Sequence, residues 1–203
     1  MVFLEDLLNA GDFRGAVNGL AREFTDQHKF PGIHQLGLVV SNAEEVADTL
    51  ETQGIGPFFI ASGSPVFWRE RGRELSFSGK MGLAYHKGVE LELLEPGEGS
   101  DFYRQSLDPE GRTVVQHLGL LVKDVDDSAQ RPVKEGLAVW IRGRLQLGPA
   151  KVDFAYIDTL KELDLIPEFI SWRIFGWACR PPARIFRGSA CLMRWSGKRS
   201  VSV

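Results

Sequence analysis

The sequence predicts an α+β protein in which two βαβββ modules form a curved half-barrel cleft, preceded by an N-terminal helical extension. The main observation is an internal repeat: Ile33–Val40 reads IHQLGLVV, and Val115–Val122, 82 residues later, reads VQHLGLLV. Each copy is a short Leu- and Val-rich segment, typical of a buried strand, and each runs into an acidic segment with helical periodicity. Similarity at a fixed offset indicates two homologous modules.

The elements of each module follow in order from these repeats. Helices are predicted at residues 43–53 and 125–135, where apolar residues recur at helical spacing and Gly54 and Gly136 provide C-terminal stops. Three strands should follow each helix. In the first module they are Pro57–Ala61, Arg73–Ser78 and Val89–Glu95, and in the second Ala138–Arg142, Ala150–Ile157 and Leu165–Ser171.

Five segments result from this division. Residues 1–31 form the helical extension, 32–98 the first module, 99–113 a linker, 114–171 the second module and 172–203 a basic tail. The tail holds seven Arg and Lys residues and no Asp or Glu, and its last run, from Trp195 onward, has no apolar periodicity. We expect a solvated tail.

Charge and composition exclude several classes of protein. The formal net charge is −3, and without the tail the other 171 residues carry 17 basic and 27 acidic side chains, which argues against a nucleic-acid partner. No apolar run approaches the roughly 20 residues of a membrane span. Two cysteines, Cys179 and Cys191, cannot provide a disulfide framework, and Glu5 and Asp6 argue against a secretory signal. We therefore expect a cytoplasmic protein without a membrane partner.

Several polar residues interrupt otherwise apolar strands. They are Glu92, His117, Glu168 and the pair His34–Gln35. Unpaired buried carboxylates are costly, and one metal ion bound by a residue from each strand would satisfy all of these groups. Oxygen and nitrogen donors without thiolates suit zinc, cobalt, nickel, manganese or iron.

The paired modules, with His117 at the fifth strand, Glu92 in the fourth and Glu168 in the eighth, resemble the vicinal oxygen chelate superfamily, which includes glyoxalases, bleomycin resistance proteins and dioxygenases. Within it, the sequence is most similar to the branch of methylmalonyl-CoA epimerase and lactoylglutathione lyase. The resemblance covers about residues 32–171. It implies a divalent metal ion and a small-molecule substrate such as an acyl thioester. We expect a homodimer, because the half-barrels and the extra terminal segments leave apolar surface to cover.

The first-strand metal ligand departs from the superfamily pattern. The position equivalent to His117 is occupied by Gln35, and His34 aligns with Gln116. Neighbouring residues on a strand face opposite sides, so one of the two first-strand residues is the ligand. The hydrophobic register favours Gln35, and His34 would be the ligand if that register were off by one residue.

The resemblance implies an epimerase, isomerase or lyase that moves a proton next to a substrate carbonyl through a metal-stabilised enolate. Glu168 is the first choice for the base, with Glu92 at the opposite face. We expect the substrate pocket to be lined by Phe58, Phe59, Phe67 and Trp68, with Arg69, Arg71 and Arg73 as candidates for binding a substrate carboxylate or phosphate. Two alternatives stay open: a non-catalytic binding protein of the same fold and a ring-cleaving dioxygenase.

Overall fold

The computed structural model describes residues 1–179 and 183–202, with the backbone alone at residues 162 and 163. Arg180 of the basic tail lies outside the described residues. The N-terminal extension contains one short strand and three short helices: β1 (Val2–Phe3), α1 (Leu4–Leu8), α2 (Phe13–Gly19) and α3 (Arg22–His28). β1 pairs with a strand of the second module, which ties the extension to the main sheet.

Two modules follow this extension. The first contains β2 (Gln35–Val39), α4 (Ala43–Thr52), β3 (Phe59–Gly63), β4 (Phe67–Glu70), β5 (Arg73–Glu74), β6 (Gly79–His86) and β7 (Val89–Pro96). The second contains β8 (Val114–Leu121), α5 (Val125–Lys134), β9 (Ala138–Leu147), β10 (Ala150–Asp158), α6 (Leu160–Leu163) and β11 (Ile166–Ile174). The chain continues through β12 (Trp177–Cys179), α7 (Ala183–Trp195) and β13 (Val201–Ser202).

The strands form one curled sheet with matching halves. The strand order is β3-β6-β7-β2 in the first module and β9-β10-β11-β8 in the second, and antiparallel pairing of β2 with β8 joins the two halves. The predicted α+β half-barrel of two βαβββ modules is confirmed.

Equivalent residues begin and end the two module helices. The Asn42 side chain accepts hydrogen bonds from backbone N–H groups in the first turn of α4, and Asp124 does the same for α5. Such caps satisfy donors that the helix leaves unpaired. Gly54 and Gly136 follow the two helices with φ of 79° and 97°, a conformation that favours glycine.

The middle of the first module differs from the prediction. Residues 75–78 of the predicted strand Arg73–Ser78 are not in a strand, whereas Gly79–His86 forms the unpredicted strand β6 between β3 and β7. The two glycines and the lysine of β6 weaken its sequence pattern, so pairing on both sides determines the strand. The hairpin β4–β5 crosses to the other module and pairs with β9.

The tail contains regular elements and is not simply frayed, although most of its described residues are exposed. β11 extends into it as far as Ile174, β12 pairs with β11, and β13 pairs with β3. Helix α7 buries Phe186, Ala190 and Met193, whose spacing places them on one helix face. That apolar spacing lies before Trp195, outside the run on which the expectation rested. None of the helices in the described part of the chain is long and apolar enough to cross a membrane.

Alternation along the central strands separates the core from the cleft. Leu36 and Leu38 of β2, together with Leu118 and Leu120 of β8, belong to the main core that packs under α4, α5 and the N-terminal helices. The intervening residues of both strands face the other side of the sheet.

Two glycines on that other side lie at the junction of the modules. Gly37 of β2 is paired with His117 of β8, and Gly119 of β8 is paired with Gln35 of β2. A Cβ atom at Gly37 would lie 1.8 Å from the His117 ring, and one at Gly119 would lie 2.7 Å from the Gln35 side chain. Each glycine therefore provides the space for a side chain of the other module.

We predict that Gly37→Ala lowers the free energy of unfolding by about 1–3 kcal/mol, as overpacking does, because the new methyl group overlaps the His117 ring. Chemical denaturation measures this change. The control Gly19→Ala, at an exposed position with open space around it, should leave stability unchanged or raise it by up to about 1 kcal/mol. In the double variant Gly37→Ala/His117→Ala the Gly37→Ala penalty should shrink. A Gly37→Ala protein as stable as the parent would contradict this packing.

Candidate metal centre and cleft

Four polar side chains meet where the two modules join. One row across the sheet contains Glu92 on β7, Gly37 on β2 and His117 on β8, and a second contains Gln35 on β2, Gly119 on β8 and Glu168 on β11. The rows are related by the exchange of the two modules. Glu92 thus corresponds to Glu168, and Gln35 corresponds to His117.

His117 is buried between two carboxylates. Its Nε2 atom lies 3.3 Å from Oε2 of Glu92 and 3.3 Å from Oε2 of Glu168. Its Nδ1 atom lies 3.0 Å from Oε1 of Gln116, whose Nε2 donates to the carbonyl of Phe102. Because the amide oxygen of Gln116 can only accept, Nδ1 carries the proton and Nε2 is directed to the carboxylates. A bulge at Gln116 brings the two neighbouring side chains together.

Gln35 is held by a separate set of contacts. Its Nε2 donates to Oε1 of Glu90 at 2.7 Å, and the Tyr85 hydroxyl donates to the other oxygen of that carboxylate. Glu90 is fully buried, so this carboxylate fixes the amide orientation of Gln35. His34 is also buried, with Nε2 4.0 Å from Oε2 of Glu90.

The donor set fits a divalent metal ion. One ligand atom each from Glu92, His117 and Glu168 lies within 4.8 Å of the others, a grouping that does not include His34. Among the described residues, Oε1 of Gln35 is buried without a hydrogen bond, and Oε2 of Glu168 has only a long contact, at 3.3 Å, with Nε2 of His117. Buried oxygen acceptors normally have a partner, and a cation would satisfy both atoms. Oxygen and imidazole nitrogen are suitable ligands for first-row divalent ions.

Without a metal ion, the close charges alter the titration of these groups. Burial by itself lowers the pKa of His117, but the charges and hydrogen bonds of Glu168 and Glu92 outweigh this effect and raise the pKa to about 9. Burial also raises the pKa of Glu168. The pKa of Glu90 is raised to about 7, mainly by burial and against the hydrogen bond from Tyr85. Carboxylates that lie close together disfavour each other's ionised form.

A cleft that is partly open to solvent lies above this group and includes Gln35, Glu92 and Glu168 in its lining. Of the four predicted pocket residues, Trp68 alone lines it. Phe58 is part of the main core, Phe59 packs against Phe186 of α7, and Phe67 lies beside a smaller surface pocket. These three residues do not line the cleft, although Ala61 and Gly63 of β3 and Trp68 of β4 do.

The three candidate arginines lie outside the cleft lining. Arg69 pairs with Glu74 at 3.0 Å, and Arg71 pairs with Asp158 at 3.1 Å and lies over the Trp140 ring. Arg73 is exposed on β5 at the sheet edge. The expectation that these residues bind a substrate anion in the cleft is not supported by their positions.

Sequence reasoning missed two tyrosines of the cleft. The hydroxyl groups of Tyr103 and Tyr156 lie 2.8 Å apart, and Tyr156 is hydrogen-bonded to Glu168. Burial, followed by the nearby carboxylates, raises both tyrosine pKa values well above 10. Tyr156 shares a strand face with Phe154, so alternation along the strand could have identified it as a cleft residue. Tyr103 lies in the predicted linker, which gave no periodicity to show that its ring enters the cleft.

Residues 34–156 match the family model described as the glyoxalase, bleomycin resistance protein and dioxygenase superfamily. This match covers more than half of the chain. The chain belongs to this superfamily. Gln35, Glu92 and His117 lie within the matched span, and Glu168 follows it. No curated protein matches the sequence.

Several solved structures are similar to this chain at low identity. Methylmalonyl-CoA epimerase from Streptomyces coelicolor, in complex with 2-nitronate-propionyl-CoA, is 16% identical, covers 70% of this chain and 96% of its own, and has a TM-score of 0.46. The Mycobacterium tuberculosis epimerase is 13% identical over 70% and 87% of the chains, with a TM-score of 0.47. A hypothetical protein of Bacillus halodurans is 13% identical over 68% and 91%, with a TM-score of 0.45.

We predict that binding of Co²⁺ releases protons at pH 7 and tightens as the pH rises towards about 9, because the ion must displace the proton from Nε2 of His117. Calorimetry in buffers of different ionisation enthalpy measures the released protons. Without metal, the raised pKa predicts the opposite trend in stability. The contribution of His117 is complete below its ordinary pKa of 6.5 and is lost as the pH rises through about 9. Co²⁺ affinity that stays constant across this pH range would contradict a protonated His117 in the metal-free protein.

Proposed function

We propose that this protein is a metal-dependent enzyme of the glyoxalase type, which moves a proton at the carbon next to a substrate carbonyl as an epimerase, isomerase or lyase. The observation that carries the proposal is the buried cluster of Glu92, His117 and Glu168, together with the buried Oε1 of Gln35, which lacks a hydrogen bond. A divalent ion held by these four residues supplies Lewis acidity that stabilises negative charge on a substrate oxygen.

The proposed base is Glu168. Its carboxylate lines the cleft, and burial raises its pKa, which makes the carboxylate a stronger base. The Tyr156 hydroxyl donates a hydrogen bond to it and orients the carboxylate. The oxygen of Glu168 that takes the proton would be one that does not hold the ion.

Glu92 is the counterpart of Glu168 in the first module. Since the two carboxylates are related by exchange of the modules, they approach the centre from opposite sides. A carbon held between them loses a proton to one carboxylate and receives a proton from the other, which inverts its configuration. This arrangement supports an epimerase or isomerase.

A binding protein of the same fold is the second candidate. Two observations favour it: an amide occupies the position equivalent to His117, and the cleft walls are mainly apolar. A neutral amide oxygen is a weaker ligand than imidazole for first-row ions. Proton exchange separates the two functions, since a binding protein holds its ligand without exchanging the substrate hydrogen.

We predict that Glu168→Gln lowers the rate of proton exchange by about 10²- to 10⁴-fold, the usual contribution of general base catalysis. The measurement is deuterium uptake by mass spectrometry after incubation of metal-loaded protein in deuterium oxide with acyl thioesters and 2-hydroxycarbonyl compounds. Glu23→Gln, at an exposed position on α3, is the matched control and should retain the full rate. If compounds bind the parent protein tightly and none exchanges, the binding-protein function replaces the enzymatic one.

A further inference from the structure

The walls of the cleft are mainly apolar. Most of the lining is apolar or aromatic; besides the polar groups of the metal centre and the two tyrosines, it includes Ser64, Lys80, Glu95 and Gln146. The apolar and aromatic lining residues include Trp68, Phe77, Met81, Leu83, Leu94, Leu145, Val152, Phe154, Ile170 and Trp172. A ligand that fills this space therefore needs a hydrophobic body and polar atoms at one end.

Aromatic rings shape one wall for a flat group. Trp68 stacks on Phe77 with ring centroids 4.5 Å apart and meets the edge of Phe154 at 6.0 Å. Trp68 comes from the hairpin that crosses between modules, so the crossing places this wall above the metal centre. Offset and edge contacts of this kind are those that aromatic ligands make.

Two indole N–H groups in the cleft lining indicate that the ligand carries hydrogen-bond acceptors. Nε1 of Trp68 and Nε1 of Trp172 are buried and have no hydrogen-bond acceptor among the described residues, and both residues line the cleft. A buried N–H group without an acceptor is costly. A ligand that carries oxygen acceptors on its ring or side chain would satisfy these donors.

The charges of the lining disfavour an anionic ligand. Lys80 is the one cationic residue among the described residues that line the cleft, and its Nζ lies 3.4 Å from Oε1 of Glu44 and 3.4 Å from Oε2 of Glu95. Glu92, Glu95 and Glu168 line the same cleft. An anionic ligand would thus meet an excess of carboxylates, and the phosphates of a coenzyme A ester would have no unpaired cation in the described walls.

Resting on the proposed function, we infer that the substrate is a small uncharged compound with a ring, whose carbonyl and neighbouring oxygen lie at the metal centre. Coenzyme A thioesters are disfavoured. This substrate class is narrower than the one expected from the sequence, and it depends on the cleft walls rather than on the catalytic step.

Binding of three named probes tests this substrate class. 2-Hydroxyacetophenone is neutral, phenylglyoxylate has the same ring and ketone but carries a carboxylate, and methylmalonyl-CoA is the thioester. Calorimetry with the full chain, with and without Co²⁺, should give the neutral probe at least about tenfold tighter binding than either anion. Trp68→Ala should weaken the neutral probe several-fold, whereas Trp177→Ala, at an exposed position outside the cleft, should not.

A second variant tests the effect of charge directly. Glu95→Gln removes one charge beside Lys80 and retains an oxygen to accept the Ala43 N–H group. It should strengthen phenylglyoxylate binding several-fold and leave 2-hydroxyacetophenone unchanged. Equal or tighter binding of either anion to the parent protein, or no binding of the neutral probe, would overturn the inference. Failure of bound 2-hydroxyacetophenone to exchange the hydrogens next to its carbonyl would instead count against the proposed function alone.

Discussion

The close approach of two side chains to two glycines at the β2–β8 junction is the constraint on which the rest of the site depends. His117 lies against Gly37 and Gln35 lies against Gly119, where any Cβ atom would overlap them. The absence of side chains at these positions lets groups from both modules reach one point across an otherwise close-packed sheet. Pairing of Glu92 with Gly37 and of Glu168 with Gly119 then brings both carboxylates to the same point.

The four candidate ligands are related by exchange of the two modules, but the side chains that hold Gln35 and His117 in place are not. In the second module, Gln116 holds Nδ1 of His117, whereas in the first Glu90 holds the amide of Gln35. The residue that corresponds to Glu90 is Ile166, which pairs with His117 and makes no such hydrogen bond. Contacts around a metal ligand determine which of its atoms faces the ion. The amide of Gln35 therefore needs its own buried carboxylate, a requirement that imidazole at the equivalent position does not have.

The sequence was sufficient for the repeated parts of the molecule. The 82-residue offset identifies both central strands, both module helices and the glycines that end them, because each depends on local spacing and composition. The hairpin β4–β5 and strand β6 were not predicted, since pairing with distant strands determines them. For the same reason the aromatic wall was assigned to Phe58 and Phe59, whereas Phe77 and Tyr103 enter the cleft from segments without regular periodicity.

The site residues were predictable to the extent that alternation assigns them to a strand face. Glu90 shares a face with Glu92, but its role depends on Gln35 and Tyr85, which lie on two other strands.

The most direct test of the metal centre is Co²⁺ affinity in three single variants. We predict that His117→Ala loses most binding and that Gln35→Ala weakens binding more than His34→Ala. Stronger weakening by His34→Ala, or parent affinity in His117→Ala, would contradict the proposed ligand set.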